Sequence, residues 1–372
     1  LPPWLRKAHD HDHINHVLQV LADRERARSR ARASSRPRAD IQLKHRLPNV
    51  PALLHTKNPL SDHYSVAIAC APENRLCNRY SDIEPYDRTR VLAGRRYFNG
   101  NWVRERAGGR WAIATQAPLP HTAHEFLSLI AGLDPGLRPP GEPHLAFHRV
   151  RTVVQLTPTH EDGRQKAHVY FPSTPGESWV IQPQQGDPSL PPLKVTLLKS
   201  EAMPTLRAVV STISVSPLYN GTPKYTVIFH HLLYHAWPDH GIPEPEDRAS
   251  LVKFVRLVYS TNADTTGLAE QNPDPDPPVM VNCSAGVGRT GAFLAISSLL
   301  RTNNLLGFPP PPSTPSTPYP PTPLAGFSQS YFTAKSPVAQ EVDSLREQRP
   351  NMVQRPEQTV LIYEVLIAGF IA

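Results

Sequence analysis

Apolar positions along this chain fall into short runs of two kinds. Lys194–Lys199, Arg207–Ile213, Tyr225–His231 and the stretch Tyr170-Phe171-Pro172 are rich in branched and aromatic residues and predict strands. Ala249–Tyr259 and Glu357–Phe370 predict helices. A further helix is expected to open at Ser336-Pro337, an N-cap followed by a proline at N1, and to run through Glu347 with Val338, Val342 and Leu345 on one face. Pro350 ends it. Pro278-Val279-Met280-Val281 reads as a short buried strand, and Thr290–Leu300 reads as the helix that follows it. Strands and helices in one chain give an α/β fold class.

The connection between those last two elements carries the chemistry. Residues 281–291 read Val-Asn-Cys-Ser-Ala-Gly-Val-Gly-Arg-Thr-Gly, so Cys283 and Arg289 close the two ends of one short loop. A loop from strand to helix aims its amides at the helix N-terminus, where unpaired N–H groups and the dipole favour an anion. Gly286, Gly288 and Gly291 let the backbone approach closely. The same field lowers a thiol below the ~8.5 of a free cysteine and makes a thiolate available. A lone cysteine and arginine at this spacing would fit a buried structural cysteine equally well; the whole run of residues favours a phosphate cradle.

At these residues the sequence resembles the signature loop of the cysteine-dependent protein tyrosine phosphatases, and other stretches of the tyrosine-specific, intracellular branch follow in order between residues 78 and 366. Asn78-Arg79-Tyr80-Ser81-Asp82-Ile83 resembles the phosphotyrosine-recognition loop, continued by Pro85-Tyr86-Asp87-Arg88-Thr89-Arg90-Val91. Ala114-Thr115-Gln116-Ala117-Pro118-Leu119-Pro120 resembles a strand end that usually has glycine at Ala117. Glu161, Gly163, Lys166, Tyr170 and Pro172 match a further loop, with Phe171 where tryptophan is usual. Trp237-Pro238-Asp239-His240-Gly241 resembles the mobile acid-bearing loop, and Met352-Val353-Gln354 with Gln358 resembles the loop that positions water. The resemblance implies a highly twisted mixed β-sheet flanked by helices, with Cys283 at a strand's carboxyl end, where open α/β sheets place ligands.

It also assigns parts to a mechanism that follows from charge. A phosphate monoester dianion repels an anionic nucleophile, so its equatorial oxygens must be neutralised. Arg289 and the amides of Ser284, Ala285, Gly286, Val287 and Gly288 are expected to do this. Cys283 attacks phosphorus and forms a thiophosphate intermediate. Asp239 is the implied general acid and then base. Gln354, helped by Gln358, orients water, and the Thr290 hydroxyl helps sulfur leave. Tyr80 forms one wall of a slot too deep for phosphoserine, and Asp82 holds the substrate backbone; an ordinary half-buried aromatic and a turn carboxylate are the plain alternatives. Glu161 is expected to brace Arg289, Lys166 to touch the Asp239 loop, and Trp237 to support it. The same Glu161 and Lys166 fit a surface hairpin charge pair. No metal or cofactor is called for.

Departures from the family pattern change the expectation in detail. Asn282 stands where histidine is usual and carries no positive charge, so the thiolate is less favoured and turnover slower. Cys77 and Ser81 replace commonly basic residues, weakening a preference for acidic peptides. His240 adds a pH-sensitive group to the acid loop. The implied activity is hydrolysis of phosphotyrosine in proteins, with a catalytically weak phosphotyrosine-binding pseudophosphatase as the alternative and a dual-specificity phosphatase less favoured. The partner is a phosphotyrosine-containing protein, a protein kinase being one candidate, and the expected state is a monomer that needs no nucleic acid.

Composition then divides the chain. With 372 residues and 39% hydrophobic content it can bury a large core, yet 43 prolines exceed what a compact fold takes up. The surplus concentrates in a Pro/Ser/Thr-rich insertion at about 308–335, expected to be extended and disordered, with shorter insertions at Asp134–Pro143 and Gln271–Pro277. Residues 45–372 are expected to form the catalytic domain, preceded by a basic, His/Arg-rich extension over 1–44. That extension holds seven arginines within Arg24–Arg38 and much of the formal charge of +7. It suits a solvated helix as well as a site for acidic lipid, nucleic acid or an import receptor. His9, His11, His13 and His16 give no closed metal-ligand set. Three cysteines, one of them a reactive thiolate, point to a reducing compartment, the cytoplasm or nucleus. No apolar run is long enough to span a membrane, and the missing initiator methionine suggests a processed or truncated form.

Overall fold

A computed structural model describes residues 1–36, 59–94, 96–133, 137–142, 144–184, 189–238, 241–266, 274, 276–307, 322–324 and 335–371. Its frame is a nine-stranded sheet. The strands are β1 (Gly100–Arg104), β2 (Trp111–Gln116), β3 (Thr152–Gln155), β6 (Ser178–Ile181), β7 (Leu193–Met203), β8 (Ala208–Tyr219), β9 (Thr222–Pro223), β10 (Val227–Tyr234) and β11 (Val279–Cys283). They run in the order β1-β2-β11-β3-β10-β8-β7-β6, with β9 paired to β8, and β4 (His160–Glu161) and β5 (Arg164–Gln165) form a separate hairpin. The four strands β2, β11, β3 and β10 are mutually parallel, and the flanking pairs are antiparallel. This is the mixed α/β sheet that the sequence implied.

Alternate residues of the central strands enter two separate cores. Val279, Val281 and Cys283 join one cluster, whereas Met280 joins the other. Strands buried on both faces read as continuous apolar runs, and helices must cover both sides. The first face is covered by α6 (Arg248–Ala263), α7 (Gly288–Thr302), α8 (Pro337–Gln348) and α9 (Pro356–Ile371), and the second by α5 (Ala123–Ala131). Four short or N-terminal helices precede these: α1 (Pro3–Arg6), α2 (His11–Ser35), α3 (Pro59–His63) and α4 (Ala67–Cys70). Ser336 caps α8 by accepting from the Ala339 amide at 3.3 Å, as its sequence position predicts. No described helix is long and apolar enough to cross a membrane.

One expected strand is absent. Tyr170-Phe171-Pro172 pairs with no strand; Tyr170 instead packs its ring on Phe126, Phe171 and His231. Aromatic content alone suggested a strand, but Pro172 has no N–H to give a ladder and the rings are used for inter-layer packing. Within the Pro-rich insertion Thr322-Pro323-Leu324 and Lys335 are described: the Thr322 hydroxyl donates to Glu347 at 3.0 Å and Leu324 packs beside Tyr64 and Tyr86. Residues 308–321 and 325–334 lie outside the described residues.

The arginine-rich run is only partly solvated: Arg26, Arg30 and Arg36 are exposed, but three other arginines are buried. Asp10 caps α2, and Val17, Leu21, Arg24, Arg28 and Arg32 are buried along one stripe against the body of the fold. Arg24 donates to Asp343 at 2.8 Å, Arg28 donates to Asp343 at 2.6 Å and to Glu347 at 2.9 Å, and Arg32 donates to the Tyr86 hydroxyl at 2.9 Å. Burial alone would raise the Glu347 carboxyl, but His63, Arg28 and Tyr64 outweigh it and hold it at about 2. Arg28→Met would leave that carboxylate buried without its main cation, so a loss of ~3–5 kcal/mol is expected in urea denaturation at neutral pH. Because the folded value is depressed, the gap from wild type should be full above about pH 4.3, the ordinary glutamate value. It should narrow as the pH falls toward 2. A gap below 1 kcal/mol at neutral pH, or one independent of pH, would remove the ion pairs as the cause.

Candidate active site

β11 delivers Cys283 to the middle of the sheet, between β2 and β3, and α7 starts only five residues later at Gly288. The intervening loop must turn sharply under the thiol. Gly286 does so with φ at 71° and lies so close to the Thr115 carbonyl of β2 that no Cβ would fit. Its amide donates to Cys283 Sγ at 3.3 Å. Burial of the thiol would raise it, but Arg289, the Thr290 hydroxyl and the amides of Thr290 and Val287 together hold Cys283 below its ordinary value. Asn282 is buried, donates to the Cys283 carbonyl at 3.3 Å and leaves its Oδ1 without a hydrogen-bond partner. Asn282 is not among the groups that lower the thiol.

Arg289 is buried at 4% exposure beneath the loop. The two-residue turn at Asp162-Gly163, both with positive φ, folds β4 on β5 and presents Glu161. Glu161 meets the guanidinium at both oxygens, accepting from Nη1 at 2.6 Å and from Nη2 at 2.7 Å. Nη1 also donates to the carbonyls of Leu156 at 3.0 Å and Trp237 at 3.1 Å. The plane of the fork is thus fixed from three elements before any anion arrives. Trp237 is wholly buried, and its indole donates to the Gly241 carbonyl at 3.2 Å, tying together the two ends of the 237–241 loop. Asp239 and His240 lie outside the described residues.

The 78–83 loop reaches the Cys283 loop through one short chain. The Tyr80 hydroxyl lies 2.8 Å from Ser284 Oγ, which donates to the Lys166 carbonyl at 2.7 Å. Lys166 is itself buried. Arg79 anchors the loop by donating to the carbonyls of Ala117 at 3.1 Å and Pro118 at 2.8 Å, and Asp82 is exposed at the rim. Ala285 is half-buried and Val287 wholly buried, its carbonyl accepting from the amides of Gly291 at 2.9 Å and Val353 at 3.1 Å. Gln358 is buried with its amide against Gly288, whereas Gln354 is exposed and lines a cleft with Leu18, Ala22 and Arg26 of α2. Of the two glutamines, only Gln358 touches the loop here.

Arg349 was not expected from sequence. Next to the proline that ends α8 it resembles any solvated basic residue, yet it is fully buried and donates to the Gly286 carbonyl at 2.8 Å and the Ala285 carbonyl at 3.1 Å. Ala117, in the place of the usual glycine, is buried and donates its amide to the Ser284 carbonyl at 3.0 Å.

Comparison with known proteins agrees with this geometry. The family model described as protein-tyrosine phosphatase matches residues 74–134 and 144–305. Receptor-type tyrosine-protein phosphatase eta of Gallus gallus is 30% identical over 235 residues, which is 62% of this chain and 14% of that protein. Tyrosine-protein phosphatase non-receptor type 14 of Homo sapiens is 27% identical over 307 residues, 80% of this chain and 21% of that protein. The chain thus spans between 14% and 21% of the length of these curated relatives. A solved structure described as the structural basis of the PTPN18 fingerprint on distinct HER2 tyrosine phosphorylation sites superimposes with a TM-score of 0.57 at 26% identity. It covers 83% of this chain and 88% of that one.

Proposed function

The chain belongs to the protein-tyrosine phosphatase family, and from that premise we propose that it hydrolyses phosphotyrosine in protein substrates through a cysteinyl-phosphate intermediate. The observation that carries the reading is a buried thiol biased toward its anion beside a guanidinium already fixed at both ends by Glu161. A structural cysteine would need neither. Phosphate oxygens are received by Arg289 and the loop amides, and the thiolate attacks phosphorus in line. Asp239 protonates the departing tyrosyl oxygen and then takes a proton from water, which Gln358, the glutamine that lies against the loop, orients. Thr290, buried beside the sulfur, favours its departure as thiolate. Tyr80 walls the slot, and Asp82 at the rim holds the substrate backbone.

Asn282 is the one residue that favours the pseudophosphatase reading. The depressed Cys283 thiol weighs against it, because Arg289, Thr290 and the amides favour the thiolate in the absence of histidine. Steady-state turnover of a phosphotyrosine peptide beside a phosphoserine peptide of the same sequence tests the proposal. Turnover of the first alone is expected, since the slot admits an aryl group and a serine phosphate falls short of Cys283. Binding of the phosphotyrosine peptide without turnover would instead establish the pseudoenzyme.

A further inference from the structure

Arg349 donates four hydrogen bonds, and none of their acceptors is the thiol. It is wholly buried, and among the described residues no carboxylate is bonded to it. Burial lowers its guanidinium to about 10, with Tyr97 and Cys283 opposing the fall, so it remains a cation at neutral pH. A buried cation without a carboxylate is costly to keep. Its four acceptors say what it does there.

On one side it holds the carbonyls of Ala285 and Gly286, at 3.1 Å and 2.8 Å. A trans peptide unit points its N–H opposite to its C=O. Fixing those two carbonyls therefore turns the amides of Gly286 and Val287 the other way, toward the cavity of the loop. These two amides act on Cys283: Gly286 donates to Sγ at 3.3 Å, and the Val287 amide lowers the thiol. On the other side Arg349 donates to Asn101 Oδ1 at 2.9 Å and Asn99 Oδ1 at 3.0 Å. Asn99 in turn donates to Asn78 Oδ1 at 2.8 Å and to the Ile83 carbonyl at 3.0 Å, the two residues that bracket Tyr80-Ser81-Asp82. Asn101 holds the Tyr86 carbonyl at 3.1 Å and Thr89 Oγ1 at 3.0 Å, where the recognition stretch continues.

We propose that Arg349 is a positioning residue which sets the phosphate loop and the tyrosine-recognition loop in one fixed relation, so that capture of the phosphate and capture of the aromatic ring are coupled through its fork. This rests on the phosphatase reading of the site. Neither loop packs rigidly by its own residues alone: one is glycine-rich, and the other is a turn whose Ser81 and Asp82 are exposed. One planar group with donors on several edges can hold both, and a lysine cannot, because an ammonium lacks the fork.

The test compares wild type, Arg349→Lys and Asn99→Ala in p-nitrophenyl phosphate kinetics across pH, in titration with inorganic phosphate, and in alkylation of Cys283 against pH. Arg349→Lys is expected to lower kcat/KM by ~10²-fold, as loss of pre-aimed amides does. It should weaken phosphate by ~10-fold and shift both the acidic limb and the alkylation curve to higher pH. Asn99→Ala should raise KM while leaving phosphate affinity and the alkylation curve near wild type, because it detaches only the recognition side. A folded Arg349→Lys protein with a lower Tm but unchanged KM, phosphate affinity and alkylation curve would overturn the proposal and leave Arg349 a structural residue. So would an Asn99→Ala protein with wild-type KM. Should wild type itself turn over no aryl phosphate, the phosphatase reading fails, while the phosphate and alkylation arms still decide the role of Arg349.

Discussion

Cys283→Ser is expected to abolish turnover while leaving the affinity for inorganic phosphate intact. The two outcomes separate because different atoms supply them. Turnover depends on a thiolate, and Cys283 is held toward that form by Arg289, Thr290 and two amides. A serine hydroxyl ionises far less readily than a thiol, so the same field cannot make it an anion at neutral pH. Loss of a nucleophile from an intact site costs ~10⁵–10⁶-fold in kcat. Phosphate binding depends on the Arg289 fork and the loop amides, and neither is removed. Repulsion between a thiolate and a dianion is removed as well, so affinity should hold or rise slightly. Steady-state kinetics with an aryl phosphate and calorimetric titration with phosphate, on the same folded protein, read both quantities. Residual turnover above about 1% of wild type would take the nucleophile's role away from Cys283, because only a 10²-fold loss would remain against the expectation.

Much of this site was legible in the sequence because its geometry is local. A short apolar run, a glycine-rich turn and a helix place Cys283 and Arg289 at two ends of one loop whatever the rest of the chain does. The cap at Ser336 is local in the same sense, and so is the turn that presents Glu161. What escaped depends on residues far apart in the chain. Arg28 and Glu347 are separated by 319 positions, so nothing near Arg28 marks it as buried. A helix whose inward stripe passes from valine and leucine to three successive arginines looks polar there until its acidic partners are in place. Arg349 is hidden in the same way, since the carbonyls and asparagine oxygens it satisfies come from two segments far from it in the chain. Tyr170-Phe171-Pro172 shows the opposite error, in which strand-forming composition is used for packing between layers. The two glutamines near residue 356 carry equal weight as sequence, and only folding puts Gln358 against the loop and Gln354 at the surface.

Arg289→Lys should give the reverse of the serine variant: weakened phosphate binding together with impaired chemistry. The charge is kept, so any loss comes from geometry. Arg289 uses two nitrogens at once, with Nη1 shared among Glu161, Leu156 and Trp237 and Nη2 on the second Glu161 oxygen. A lysine ammonium offers one nitrogen on a different reach and cannot bridge both carboxylate oxygens while also facing an anion. Removing one aimed donor from a site that stabilises developing charge costs ~10²–10³-fold in kcat. Loss of a charge-assisted hydrogen bond costs ~1.5–3 kcal/mol, which is roughly 10- to 10²-fold in phosphate affinity. Glu161 would be left nearly buried, its side chain 9% exposed, with a poorer partner, so Tm should fall as well. Glu161→Gln separates the two effects, because a neutral amide still accepts from the fork and the guanidinium stays in place to meet phosphate. Its turnover should lie between wild type and Arg289→Lys. Equal phosphate affinity in wild type and Arg289→Lys would show that the anion is held by the loop amides alone, and that the Glu161 pair serves the fold and not the reaction.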